Sequence, residues 1–448
     1  MGIKLFSKKI YDSEIKKNKS FILMMTATII FMYGIISIYY NENIYPNVRE
    51  FKQISYWDQS QNLVEFEYPV EGLMRTNLFF ILAVATAVVI LCTFKYIREK
   101  SKNIACIMYS GGGYREAFKF LVYTSLKSFS IATILGVLIG ILISPINNFI
   151  IYKIVQNEGS LFTFNLEGFL NVLLFIIIQF STIVMINFGY IYRKDVMGLI
   201  NIDGAKTLDD KRVIKIPNII YIILYVLPLF YMLTFPDYKD AGKISLVLSI
   251  ISMLVLHGFI KYGLDGIYRS LKKRKFMYKG TRILYISNSV KTIKESYVYI
   301  LLLMLTMLSA AYTMLGVLDF TGMKEIILIC IMGSSIVISL SVGYKFIVEA
   351  REIESRAKQI RLLGFSNESI LSCVTKEIIL TFTLTNIIPL MILASTIYIF
   401  IISGLLSFKF GASLILSILI PSNVIGVICS FLCKNKISDN LEIYDKKN

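Results

Sequence analysis

Ala357-Lys358-Gln359-Ile360-Arg361-Leu362-Leu363-Gly364-Phe365-Ser366-Asn367-Glu368-Ser369 reads as a short basic helix, a glycine stop and the start of a second helix. Helical spacing puts Ala357, Ile360 and Leu363 or Gly364 on one side, and Lys358, Gln359 and Arg361 elsewhere. Gly364 suits a helix C-cap, with Lys and Arg favourable in the last turn. Ser366 suits an N-cap, with Glu368 in the first turn that follows and Ser369 three residues on. A long apolar run comes next.

Residues 102–117, Lys-Asn-Ile-Ala-Cys-Ile-Met-Tyr-Ser-Gly-Gly-Gly-Tyr-Arg-Glu-Ala, have the same layout. Each stretch follows a hydrophobic run that ends in an aromatic–Lys–aromatic cluster, Phe94-Lys95-Tyr96 and Tyr344-Lys345-Phe346. Each cluster leads to an Arg-Glu pair, Arg98-Glu99 and Arg351-Glu352. Setting Gly111 against Gly364 aligns these pairs, so the two regions read as copies of one unit. Both are expected to be cytoplasmic elbows between membrane helices, placed where a partner can push on them.

The whole chain fits that setting. Its 448 residues are 56% hydrophobic with mean hydropathy +0.66, far above a soluble globular protein. The formal charge of +17 sits in short loops between apolar runs. That favours a positive-inside membrane protein attracted to anionic lipid over a nucleic-acid binder. The six cysteines fall in or beside apolar runs or in loops assigned to the cytoplasm, so no structural disulfide is expected. Cys429 and Cys433, one turn apart without a His or second Cys pair nearby, read as apolar packers rather than metal ligands. The Lys-rich N-terminus resembles a signal n-region. The run that follows is long enough to span and lacks a cleavage site, so it reads as an uncleaved first transmembrane helix.

The expected fold is an all-α polytopic membrane protein with about ten transmembrane helices. The spans are 21–40, 77–94, 120–144, 169–190, 219–235, 244–260, 298–318, 326–344, 374–402 and 411–433, the fifth and sixth being short. Loops 95–119, 193–215, 261–294 and 345–361 and both termini are rich in Lys and Arg, and the alternate loops are poor in them. Both termini are therefore expected in the cytoplasm. Basic amphipathic segments at 6–19 and 281–297 read as interfacial helices that open each half. The layout is a first module at 1–200, a linker and extra helix pair at 201–275, and a second module at 276–448. One external segment, 41–75, is long enough to notice; it holds Trp57 and is expected to form a small cap. In the third span Ala132, Gly136, Gly140 and Ser144 recur every fourth residue, a small-residue face for close helix packing.

Chemistry-bearing patterns are few. The single histidine, His257, lies in the sixth span with no carboxylate beside it and reads as a packing or hydrogen-bonding residue. Neither Gly111-Gly112-Gly113 nor Gly204-Ala205-Lys206-Thr207 is a Walker motif, and no nucleophile elbow occurs, so no catalytic residue is assigned and ATP hydrolysis is not expected in this chain. Lys127, Lys376 and Glu377 lie early in the third and ninth spans and read as snorkelling or paired charges.

Lys102-Asn103-Ile104-Ala105-Cys106-Ile107-Met108-Tyr109-Ser110-Gly111 resembles the elbow of the FtsX-like permease family of ABC transporters, and Lys358-Gln359-Ile360-Arg361-Leu362-Leu363-Gly364-Phe365-Ser366 resembles it more closely. Two such modules joined by an extra helix pair are similar to the bacitracin- and antimicrobial-peptide-resistance permeases of Gram-positive bacteria. The stretch Ile191-Tyr192-Arg193-Lys194-Asp195-Val196-Met197-Gly198-Leu199-Ile200 also fits the segment after their fourth span. The resemblance implies a permease subunit, not itself an enzyme, in the cell membrane. A separate ATPase, in two copies, would bind the ATP and Mg, and a sensor kinase is a further candidate partner. Carried over by position, the ATPase-coupling residues would be Ile107, Gly111, Arg115, Ile360, Arg361, Gly364 and Glu368. The implied work is export, extraction or detoxification of an amphipathic peptide or lipid-linked substrate; the alternative is a non-transporting subunit that transmits force to an extracellular enzyme or sensor. The chain departs from the family between its seventh and eighth spans, where only 319–325 stand in place of a large external domain.

Overall fold

A computed structural model describes residues 3–41, 43, 51–57, 63–155, 158–192, 217–234, 241–316, 323–404 and 406–445. The basic loop 193–215, the stretch 193–200 within it, and most of the external loop 319–325 lie outside the described residues. The apolar runs form long helices because, without water, each backbone amide must find its partner inside its own segment. Among the described residues eight helices are long and apolar enough to cross a membrane. They lie on expected spans one to four, six and eight to ten. The seventh span is entered through a 65° bend between Arg282–Glu295 and Tyr297–Thr313. The fifth, Asn218–Thr234, has 17 residues. That is roughly 26 Å of helix against a hydrocarbon layer of about 30 Å. The sixth is longer than expected, because a π-turn at Phe259–Gly263 carries it on into Leu264–Lys272. The chain is an all-α multi-pass membrane protein.

In order, the helices are α1 (Ile3–Ser13), α2 (Ile15–Tyr39), α3 (Val70–Tyr109), α4 (Tyr114–Val155), α5 (Leu166–Tyr192), α6 (Asn218–Thr234), α7 (Ala241–Gly258), α8 (Leu264–Lys272), α9 (Arg282–Glu295), α10 (Tyr297–Gly316), α11 (Met323–Val348), α12 (Ala350–Leu362), α13 (Asn367–Ile402) and α14 (Phe408–Asp445). The segment expected to form a small cap contains a hairpin. Strand β1 (Phe51–Trp57) pairs antiparallel with β2 (Leu63–Pro69), in register from Phe51↔Pro69 to Trp57↔Leu63. Backbone contacts divide the chain into two units. One comprises 1–97, 106–194 and 309–337; the other comprises 98–105, 195–308 and 338–448.

In the first unit α2 lies along α4, and the small-residue face of α4 makes the close approach. A Cβ added at Gly136 would stand 2.8 Å from Cβ of Ile29, and one at Gly140 would stand 2.9 Å from the Tyr33 ring. Ala132 is buried, and Ser144 Oγ lies 3.1 Å from Ser37 Oγ. Gly136→Leu should therefore force the helices apart and destabilise the protein by about 1–3 kcal/mol. Thermal unfolding in detergent checks this, with Leu135→Ala on the exposed side as the control. Asn187 Nδ2 donates to Ser125 Oγ at 2.7 Å, tying α5 to α4. Asn18 fixes the α1–α2 corner, donating to Tyr11 O at 3.1 Å and accepting from Tyr96 OH at 3.1 Å.

In the second unit α13 packs on α14. Asn386 Nδ2 donates to Ser422 Oγ at 2.7 Å, and Ser339 Oγ of α11 donates to the same oxygen at 2.8 Å. Polar side chains that satisfy one another in this way hold membrane helices together. Tyr225 of α6 donates to Ile388 O at 2.7 Å, beside Pro389, and stacks on Phe259. His257 meets the Tyr297 ring edge-on at 4.8 Å.

Candidate functional site

Both glycine turns adopt the left-handed backbone that a side chain disfavours: Gly111 has φ +87° and Gly364 φ +89°. At the first elbow Gly112 N donates to Ile107 O (3.0 Å) and Gly111 N to Met108 O (3.2 Å), the two bonds of a Schellman stop. Gly112 must also lack a Cβ, which would stand 2.7 Å from Ile107 O. The Glu116 carboxylate accepts from Gly113 N–H, half of a capping box for α4. At the second elbow Gly364 N donates to Arg361 O at 2.8 Å. Ser366 caps α13 by accepting from Ser369 N at 3.3 Å.

The elbows differ in what precedes them. α3 is one helix of 40 residues running to Tyr109, so the first elbow is its end and not a separate short helix. In the second half α11 stops at Val348, and α12 begins after Glu349. Lys345 and Arg351 are six residues apart where Lys95 and Arg98 are three apart, and the break falls in that added turn.

Of the residues assigned to coupling, Gly111, Arg115, Gly364 and Glu368 are exposed, and Ile360 and Arg361 are half-buried. Ile107 is buried. The sequence reading missed the most prominent side chains at both turns. Tyr109 is 85% exposed, Leu362 79% and Leu363 74%. Tyr109 and Leu362 each stand two residues before the left-handed glycine. Offset from the glycine was the signal that could have found them.

Behind the second elbow is a polar node. Glu377 of α13 is 3% exposed, and its carboxylate accepts from Asn288 Nδ2 of α9 at 3.0 Å and Arg356 Nη2 of α12 at 3.4 Å. Ser289 Oγ donates to Glu377 O at 3.1 Å. One carboxylate of α13 thus binds both α12 and α9. The first unit pairs its own interfacial helix with a charge on the post-elbow helix. Lys127 of α4 lies 3.7 Å from Asp12 of α1 and 4.0 Å over the Tyr11 ring, and Ser128 Oγ donates to Tyr11 OH at 3.3 Å. No protein-family model and no curated protein matches the chain.

Proposed function

We propose that this chain is the permease subunit of an ABC-type transporter of the FtsX-like, antimicrobial-peptide-resistance kind. It sits in the plasma membrane of a Gram-positive bacterium with both termini inside. A separate ATPase, two copies carrying ATP and Mg, presses on the elbows, and the helices move an amphipathic peptide or lipid-linked molecule. The observation that carries this reading is the matched pair of turns. Each has a left-handed glycine, a capped helix leading away, and a large apolar side chain held out two residues earlier. Exposed apolar residues on short stiff turns are what a docking partner would cover.

Leu362→Asp combined with Leu363→Asp tests it, by co-purification with a candidate ATPase and by stimulation of its activity. A buried Leu is worth roughly 1.5–3 kcal/mol, so affinity should fall at least about tenfold. Undiminished association would defeat the docking assignment.

A second reading, force transmission to an external enzyme or sensor kinase, is favoured by one feature. β2 ends at Pro69 and α3 begins at Val70, so the hairpin continues into the helix that ends at the first elbow. At 1.5 Å per residue that helix is a rod of about 60 Å. Deleting the hairpin tip separates the readings: lost partner activation with retained substrate protection favours transmission.

A further inference from the structure

The connection from α4 to α5, at the end of both helices away from Gly111, reads Gly159-Ser160-Leu161-Phe162-Thr163-Phe164-Asn165-Leu166. It carries no charge between Glu158 and Glu167. Phe162 is 83% exposed, Phe164 66% and Leu166 64%. The segment is firmly held. Asn148 of α4, itself fully buried, donates through Nδ2 to Leu161 O at 2.9 Å and to Thr163 Oγ1 at 3.0 Å. Tyr152 OH donates to Ser160 O at 3.0 Å, and Asn165 Oδ1 accepts from Gly168 N at 3.1 Å. Buried polar groups thus fix a turn whose Phe162, Phe164 and Leu166 side chains are largely exposed.

One occupant is excluded by what lies around the turn. The cleft behind it, between Tyr33, Tyr40, Asn41 and Asn165, has room for about one water, so these side chains do not frame a pocket for a soluble ligand. Ile146 and Phe149 of α4 and Leu170 and Leu174 of α5 are exposed as well, on helices apolar enough to face lipid. Phe at the edge of a lipid-facing band belongs in the interfacial layer of the bilayer.

We infer that residues 161–166 form a wedge that penetrates the outer lipid leaflet at the level of the glycerol and first acyl carbons. The partner is the lipid surface itself. Residues 161–166 carry no charge and are flanked by the exposed carboxylates Glu158 and Glu167, so insertion depends on apolar burial and gains nothing from anionic headgroups. The inference does not depend on any ATPase.

The test uses the full chain carrying Trp57→Phe and Phe162→Trp, which leaves the introduced indole as the only Trp. Phe162 is exposed, so the exchange disturbs no packing. The protein is reconstituted in phosphatidylcholine vesicles, with and without phosphatidylglycerol. Expected is strong quenching by lipids spin-labelled near the headgroup end of the chain, weak quenching by aqueous acrylamide, and no gain in lipid quenching from anionic lipid. Quenching by acrylamide but not by lipid would put the turn in water and overturn the proposal. Shielding from both would show a protein or second copy covering it, and would overturn it equally.

Discussion

Replacing Lys345 with Met should destabilise the second unit by about 1–3 kcal/mol, the range for leaving a buried hydrogen-bonding group without its partner. Its side chain is fully buried. The ammonium donates to Thr292 O at 3.1 Å and Ser296 Oγ at 3.0 Å and lies 3.3 Å from the Glu295 carboxylate. These groups form the corner where α9 turns into α10 at 65°. The bend sends Ser296 N to Ile293 O, three residues back, instead of to Thr292 O, four back. Lys345 thus supplies a donor to a buried carbonyl that has lost its helical amide. Met nearly matches the Lys stem in volume, so the loss would come from orphaned polar groups and not from a cavity. Equilibrium unfolding in detergent, reported by proteolysis at the α9–α10 corner, is the measurement. Stability within about 0.5 kcal/mol of wild type, the size of an ordinary surface change, would show that the corner does not need the cation.

The sequence showed Lys345 as one member of an aromatic–Lys–aromatic cluster and gave no hint of its partners. Thr292 stands 53 residues away and the bend is not a pattern of residue types. Hydropathy was enough to place eight of the ten expected spans, since an apolar run in lipid has little choice but helix. The glycine stops were equally legible, because Gly111 and Gly364 occupy a backbone region that side chains disfavour. Ser366 capping Ser369 is a local rule obeyed locally. The small face of α4 could be read as a packing surface, but not that Ile29 and Tyr33 of α2 would fill it. What escaped was long-range or depended on direction. Glu377 reads as a charge near a helix start, yet its partner Asn288 lies 89 residues earlier. Phe162 and Phe164 read as ordinary apolar residues until Asn148 is seen binding Leu161 O and Thr163 Oγ1 beside them. The hairpin was missed because 41–75 was judged by its size and aromatic content, although Leu63-Val64-Glu65-Phe66-Glu67-Tyr68 alternates with strand period.

Arg356→Met should cost about 3 kcal/mol and Glu377→Gln only about 1 kcal/mol, although both break the same ion pair. The asymmetry follows from exposure. The Arg356 side chain is 35% exposed and the Glu377 side chain 3%. When Glu377 becomes Gln, the guanidinium turns to water, and the new amide oxygen still accepts from Asn288. When Arg356 becomes Met, a buried carboxylate is left with one neutral donor. The double variant should therefore be more stable than Arg356→Met alone, close to Glu377→Gln. A double-mutant cycle by thermal or denaturant unfolding measures this coupling. Simple additivity would mean that the pair carries no energy, and equal single costs would mean that exposure does not set the asymmetry. The node also separates two steps of the proposed mechanism. Leu362 and Leu363 remain exposed on α12 whether or not Arg356 holds Glu377, so Arg356→Met should keep its grip on the ATPase while stimulation of hydrolysis drops. Leu362→Asp with Leu363→Asp should lose both together. If Arg356→Met lost binding as well, α12 would be held in its docking pose by this ion pair, and the link from α12 to α9 and α13 would be part of the docking surface instead of the transmission behind it.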